Sequence, residues 1–141
     1  MRVMAIDPGE KNIGLAISDA TGTIANPLVV LHHISRLVDS ASIAQIAADH
    51  QVDLIIVGEA LDVDNRPTVQ SRRAARLAHA IRSQITIPVE LWDEYGSTQA
   101  GRSALIAMHV SRGKRRGHHD ELAATYILQT YLDTKSPDRR L

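Results

Sequence analysis

The sequence predicts an α/β domain: a mixed five-stranded sheet with helices on its faces, in the order βββαβαβαα. Three observations predict it. From Arg2 to Leu31, short apolar runs alternate with turn signals, the pattern of an antiparallel meander. Beyond Ser35 the apolar period changes from two to 3.6, and helix-like and strand-like stretches then alternate. The chain has 141 residues, enough for one sizeable core and too few for two. Residues 1–133 are expected to form that single domain, with 134–141 as a loose tail.

Arg2 to Ile6 reads as a buried strand. Asn12 to Ser18 reads as a second, joined to the first by the connection Asp7-Pro8-Gly9-Glu10-Lys11. Thr23 to Leu31 is a third, and Pro27 within it suits a sheet edge. Ser35 to His50 repeats apolar residues at helical spacing, with Ser35 placed to cap. Asp53 to Gly58 is almost wholly apolar, as expected for a strand covered on both faces. Thr68 to Gln84 is a basic amphipathic helix, and Ile87 to Trp92 is the fifth strand. A helix over Ser97 to Val110, a basic loop over Arg112 to Gly117 and a helix over Asp120 to Leu132 complete the order.

Composition excludes several classes. There are no cysteines, so disulfides, thiolate metal sites and cysteine nucleophiles are absent, which suits a reducing cytoplasm. No apolar run reaches the roughly 20 residues of a membrane helix, so no membrane role is expected. Aromatic residues are 3 %, too few for a platform on which unpaired bases stack. The formal net charge is zero, so any contact with nucleic acid must come from local patches. The chain lacks the G-x-S-x-G and G-x-x-x-x-G-K-[ST] motifs of serine hydrolases and P-loop enzymes.

Sites in open sheets gather outside the carboxyl ends of the strands. Three such ends carry an acid here. Val3, Ala5 and Asp7 share one strand face, as do Ile55, Val57 and Glu59, and Val89, Leu91 and Asp93. Asp120 starts a helical stripe continued by Ala123, Ala124, Ile127 and Leu128. Carboxylates at the ends of buried faces are costly unless paired or bound to cations. Oxygen-rich clusters suit Mg²⁺ or Mn²⁺, and two ions about 4 Å apart can drive phosphodiester cleavage. Asp7, Glu59, Asp93 and Asp120 are therefore the candidate catalytic residues and metal ligands. Each also has an ordinary reading, as turn former, strand-end acid or helix cap, so the signal lies in the joint pattern. Asp93 and Glu94 are adjacent, so only one of them is expected to face the site.

The segment Val3 to Ala16, with Asp7-Pro8-Gly9 followed by Asn12-Ile13-Gly14, resembles the opening of the bacterial YqgF (RuvX) family. That family is described both as Holliday junction resolvases and as pre-16S ribosomal RNA nucleases. Asp53 to Gly58, Trp92 to Ala100 and Asp120 to Leu132 resemble it too, in the right order. The resemblance implies a ribonuclease H-like fold, a cytoplasmic nuclease, a metal site at Asp7, Asp93 and Asp120, and a role in processing the small-subunit rRNA precursor. Two positions depart from the family pattern. Gly58 is followed by Glu59-Ala60 where an apolar residue and proline are usual, and Tyr95 stands for the usual arginine. An acid after the fourth strand is more similar to the RuvC resolvases, which keeps cleavage of four-way junctions open as the alternative.

Arg72, Arg73 and Arg76 on the basic helix, and Lys114, Arg115 and Arg116 in the basic loop, are the candidate contacts to a nucleic-acid backbone. Lys11, Glu94, His118 and His119 are auxiliary candidates, the histidines as ligands or proton carriers. The other histidines, His32 and His33 among them, lack a ligand-like spacing and read as structural or surface residues. The partner expected is structured RNA or branched DNA. A resolvase would act as a homodimer on a two-fold symmetric junction. An actin-like ATPase needs two such domains and does not fit the length. A ribonuclease H-like module that binds without cutting has no use for four acids.

Overall fold

A computed structural model of the chain describes residues 1–62, 64–93 and 118–135, with only the backbone of 118–121. Strands β1 (Val3–Pro8), β2 (Asn12–Ser18) and β3 (Ala25–His32) form the expected antiparallel meander. Helix α1 (Arg36–Asp49) leads to β4 (Leu54–Glu59), and α2 (Val69–Arg82) leads to β5 (Val89–Asp93). Both later strands run parallel to β1, giving the sheet order β3-β2-β1-β4-β5. The last described helix is α3 (His118–Lys135). The expected helix over 97–110 and the basic loop over 112–117 lie outside the described residues.

Local chemistry sets these boundaries. The Ser35 hydroxyl accepts from the Val38 amide and caps α1. Thr68 and Ser71 bond each other's backbone amides and start α2 with a reciprocal capping box. Pro27 does sit on an edge strand. The ladder steps from Leu15↔Val29 to Ala16↔Pro27, so one residue of β3 bulges out beside the proline. The turn between β2 and β3 is held by Asp19, which accepts from the amides of Thr23 and Ile24 and from the Thr21 hydroxyl. Those bonds keep its carboxyl well below the usual carboxylate range.

Two layers of core cover the two faces of the sheet. Met4, Ile6, Leu15, Ile55 and Val57 pack against Ile43 of α1 and Ala74, Leu77 and Ile81 of α2. Val3, Ala5, Ala16, Leu54 and Ile56 pack against Ala124, Ile127 and Leu128 of α3. The stripe expected on the last helix is thus the one buried. That helix runs to Lys135, past the expected end at Leu132, and Thr134 donates back to the Tyr131 carbonyl at 2.7 Å. Among the described residues, no helix is long and apolar enough to cross a membrane.

Candidate functional site

Strand β1 continues through Asp7 and Pro8, two residues past its expected end, because the hairpin pairs Asp7 with Gly14 and Pro8 with Ile13. Asp7 is therefore the penultimate residue of a central strand, and it is 2 % exposed. The turn that follows is tight. The Gly9 amide donates to the Asn12 carbonyl at 3.0 Å, and a Cβ at Gly9 would lie 2.3 Å from that oxygen. Only glycine fits this close approach.

Side chains alternate along a strand, so Asp7 continues the Val3–Ala5 face, the one covered by α3. Its neighbours on that face are glycines. Gly14 pairs with it on β2, and the Ile6↔Val57 register carried one residue on sets Gly58 beside it on β4. Neighbouring strands stand about 4.8 Å apart, so any other residue there would place its Cβ against the carboxylate. Trp92 is the next residue in that row, paired with Gly58. It packs edge-on against Tyr131 of α3 at 5.1 Å. Its buried indole N–H has no acceptor among the described residues.

Helix α3 brings Asp120 toward the same end. Gln129 accepts from the Ala25 amide at 2.9 Å and donates to the Thr23 carbonyl at 3.2 Å, at the start of β3. Tyr131, Leu132 and Lys135 share a cavity wall with Met1 and Val3. The C-terminal part of α3 thus lies at the amino end of β1, and the helix runs antiparallel to that strand. Twelve residues of helix from Leu132 back to Asp120 cover about 18 Å. Val3 to Asp7 covers about 13 Å of strand. The first turn of α3, which contains His118, His119 and Asp120, therefore reaches the carboxyl edge where Asp7 sits. The side chains of these three lie outside the described residues.

Glu59 and Asp93 continue the opposite face of the sheet from Asp7. They pair with each other in the β4–β5 register, and they continue the Ile55–Val57 and Val89–Leu91 faces, which α1 and α2 cover. The single site expected for Asp7, Glu59, Asp93 and Asp120 is thus not assembled by the described side chains alone, Asp120's lying outside them. All four acids reach the carboxyl edge, but the residue level with Asp7 on its own face is Gly58, one position before Glu59, and a one-residue offset turns a side chain to the other face. Among the described residues, no group of three or more acidic or histidine side chains is placed to hold a metal ion.

The second pair has its own electrostatics. Burial, and then the charge of Asp93, push the Glu59 carboxyl above its ordinary value. The backbone around Glu59 is clamped by Gln70, which donates to the Gly58 carbonyl at 3.2 Å and accepts from the Ala60 amide at 2.5 Å. The Thr68 hydroxyl adds a bond to the Ala60 carbonyl at 2.5 Å.

Of the basic candidates, Arg73 and Arg76 line a cavity beside Pro8 and Gly9, while Arg72 is exposed outside it. Arg36, His33 and Asp39 line the same cavity and were not among the sequence candidates. Arg36 is a lone cation at a helix start; its one sequence signal is its place next to the Ser35 cap. His33, expected to be a structural or surface residue, is bonded to the buried Asp39. Lys11 is exposed in the turn, and its carbonyl accepts from the His33 amide at 2.8 Å. Glu94, Lys114, Arg115 and Arg116 lie outside the described residues.

The sequence model of the RuvX family, described as Holliday junction resolvase, matches residues 1–134. A protein of Myxococcus xanthus named "Putative pre-16S rRNA nuclease" is 35 % identical over 97 % of this chain and 91 % of its own length. One of the same name from Thermoanaerobacter pseudethanolicus is 38 % identical over 96 % of this chain and 98 % of its own. Among solved structures, Thermus thermophilus RuvC superposes with a TM-score of 0.61 at 17 % identity, covering 96 % of each chain. The fowlpox virus Holliday junction resolvase gives 0.56 at 16 %, covering 96 % of this chain and all of the other. These two likenesses show the fold, which is ribonuclease H-like. With a family match over nearly its whole length and relatives above one-third identity, the chain belongs to the RuvX family.

Proposed function

We propose that this chain is a metal-dependent endonuclease that hydrolyses phosphodiester bonds, acting in the cytoplasm on the 5′ end of the 16S rRNA precursor. The observation that carries the reading is Asp7, a buried carboxylate at the carboxyl edge of the central strand, flanked by two glycines and met by the first turn of α3. The names of the full-length relatives favour RNA as the substrate.

The donor chemistry fits a hard divalent ion. Asp7 and Asp120 offer carboxylate oxygen, the donor a hard divalent ion prefers, and the glycines beside Asp7 set no side chain against its carboxylate. Asp7 and Asp120 would hold the ions, Mg²⁺ or Mn²⁺. Such ions supply the charge that activates an attacking water and steadies the leaving oxygen. Glu59 and Asp93 stand across the strand ends from them. With its carboxyl pushed upward, Glu59 exchanges a proton nearer neutral pH than an ordinary glutamate does. Arg73 and Arg76 supply cations for the substrate backbone. The basic run Lys114-Arg115-Arg116 lies just before Asp120 in sequence and is assigned to substrate contact as well, with His118 and His119 as auxiliary ligands or proton carriers.

Cleavage of four-way DNA junctions is the second reading, favoured by the family description and carrying with it a homodimer. Side-by-side assays of a precursor rRNA fragment and a four-way junction, with Mg²⁺ or Mn²⁺, separate the two. The expected result is cleavage of the RNA, lost in Asp7→Asn. Paired symmetric nicks in the junction with the RNA untouched would reverse the substrate. Cleavage of neither would favour a module that binds without cutting.

A further inference from the structure

Pro8 and Gly9, the residues after Asp7, form one wall of a second concavity on the α1–α2 side of the sheet. It has a volume of about 260 Å³. Three arginines line it from two helices: Arg36 at the start of α1, and Arg73 and Arg76 one turn apart on α2. Among the described residues, none of the three makes a salt bridge or a side-chain hydrogen bond. The one acid in the lining is Asp39, and its charge is already engaged: one oxygen is bonded to His33 Nδ1, and the other accepts from the Ile34 amide at 3.1 Å. The cavity therefore carries at least two uncompensated positive charges. The first turn of α1, whose amides have no carbonyl of their own helix to bind, adds a positive partial charge.

Cations gathered in a concavity repel one another, and an anion relieves that repulsion. Gly9 is two residues from Asp7, so their Cα atoms are at most about 7 Å apart. Along a nucleic-acid strand a phosphate recurs at every nucleotide, separated from the next by one sugar, a spacing on the scale of the Asp7–Gly9 separation. A strand with one phosphate at Asp7 therefore has a neighbouring phosphate within reach of the cavity. We propose that this cavity is a second phosphate subsite, which takes a backbone phosphate of the bound strand close to the one being cut. Arg36, Arg73 and Arg76 are its binding residues, and the His33–Asp39 pair positions the entry to α1. The assignment rests on the nuclease reading, since it supposes a strand laid across Asp7.

Two probes test it on the full chain: inorganic phosphate, followed by amide NMR shifts, and an RNA fragment, followed by salt-dependent affinity. Phosphate is expected to shift the amides of Gly9 and of residues 36–38 in wild type. Arg73→Gln/Arg76→Gln is expected to abolish those shifts, to weaken RNA binding about tenfold or more, and to lower the slope of log K against log salt by about 1 to 2. Arg73→Lys/Arg76→Lys should restore most of the affinity, which separates lost charge from lost folding. Lys135→Gln, a charge removed on the α3 side, should leave the phosphate shifts in place. Phosphate shifts that vanish in the double variant while RNA affinity and slope stay unchanged would make this a site for free phosphate and overturn the subsite. Absent shifts with unchanged RNA binding would overturn the anion site altogether. Failure of the nuclease reading is seen separately, as RNA cleavage that survives Asp7→Asn or is absent in wild type, and neither changes how the two binding probes are read.

Discussion

The two faces of the sheet differ most where its strands end. On the α3 face, one carboxylate, Asp7, is fully buried between two glycines and shares its layer with the helix that carries Asp120. On the α1–α2 face, Glu59 and Asp93 are half-buried side by side, and the arginine cavity opens next to Pro8 and Gly9. The first face has a buried acid between glycines; the second has paired acids and cations. An acid at a strand end is thus a weak indicator until its register is known, since one residue along a strand exchanges one face for the other.

Comparing the acids directly could break this division. Asp120→Asn is expected to lower cleavage about a hundredfold or more, equivalent to about 3 kcal/mol of lost transition-state stabilisation, in single-turnover assays. Asp93→Asn should cost less. Equal losses would mean that both faces serve one centre. Glu94 lies outside the described residues. Glu94→Gln, at the adjacent position in sequence, is the informative partner variant.

Gly9→Ala sharpens the comparison at the turn that both faces share. The new Cβ would meet the Asn12 carbonyl, which is backbone and cannot swing aside. A destabilisation of about 1–3 kcal/mol is expected by denaturant unfolding. Unchanged stability would mean that the turn relaxes freely.

The smallest effect concerns Glu59. Its carboxyl is raised in the folded chain by burial and then by Asp93, so the folded state binds that proton more tightly than the unfolded one. The contribution is favourable below the unfolded value and is lost as pH rises through the higher folded value. Stability should therefore decline modestly from just below the ordinary glutamate value of 4.5 upward, and Glu59→Gln should flatten that decline. Asp93→Asn should bring the Glu59 titration, followed by NMR, back toward its ordinary position.

Much of this was legible in the residues. The meander showed in short apolar runs broken by Asp-Pro-Gly and Thr-Gly-Thr, and the α3 stripe in Ala123, Ala124, Ile127 and Leu128, because burial on one side imposes a period. Asp7 was legible as the continuation of Val3 and Ala5. The separation of Glu59 and Asp93 from it was not. Each acid does continue its own apolar face, but β1 and β4 are apolar on both faces, so nothing in their sequences tells which face belongs with which. That needed the Ile6↔Val57 pairing. The arginine cavity was half legible. Arg73 and Arg76 were visible as a basic face, whereas Arg36 meets them only through the packing of α1 beside α2.

The proposed cation site on the α3 face is organised by Asp7. Calorimetric titration of Mn²⁺ into wild type, Asp7→Asn and Asp93→Asn tests it most directly. The account predicts binding in wild type and in Asp93→Asn, and its loss in Asp7→Asn. Equal binding in all three proteins would contradict it.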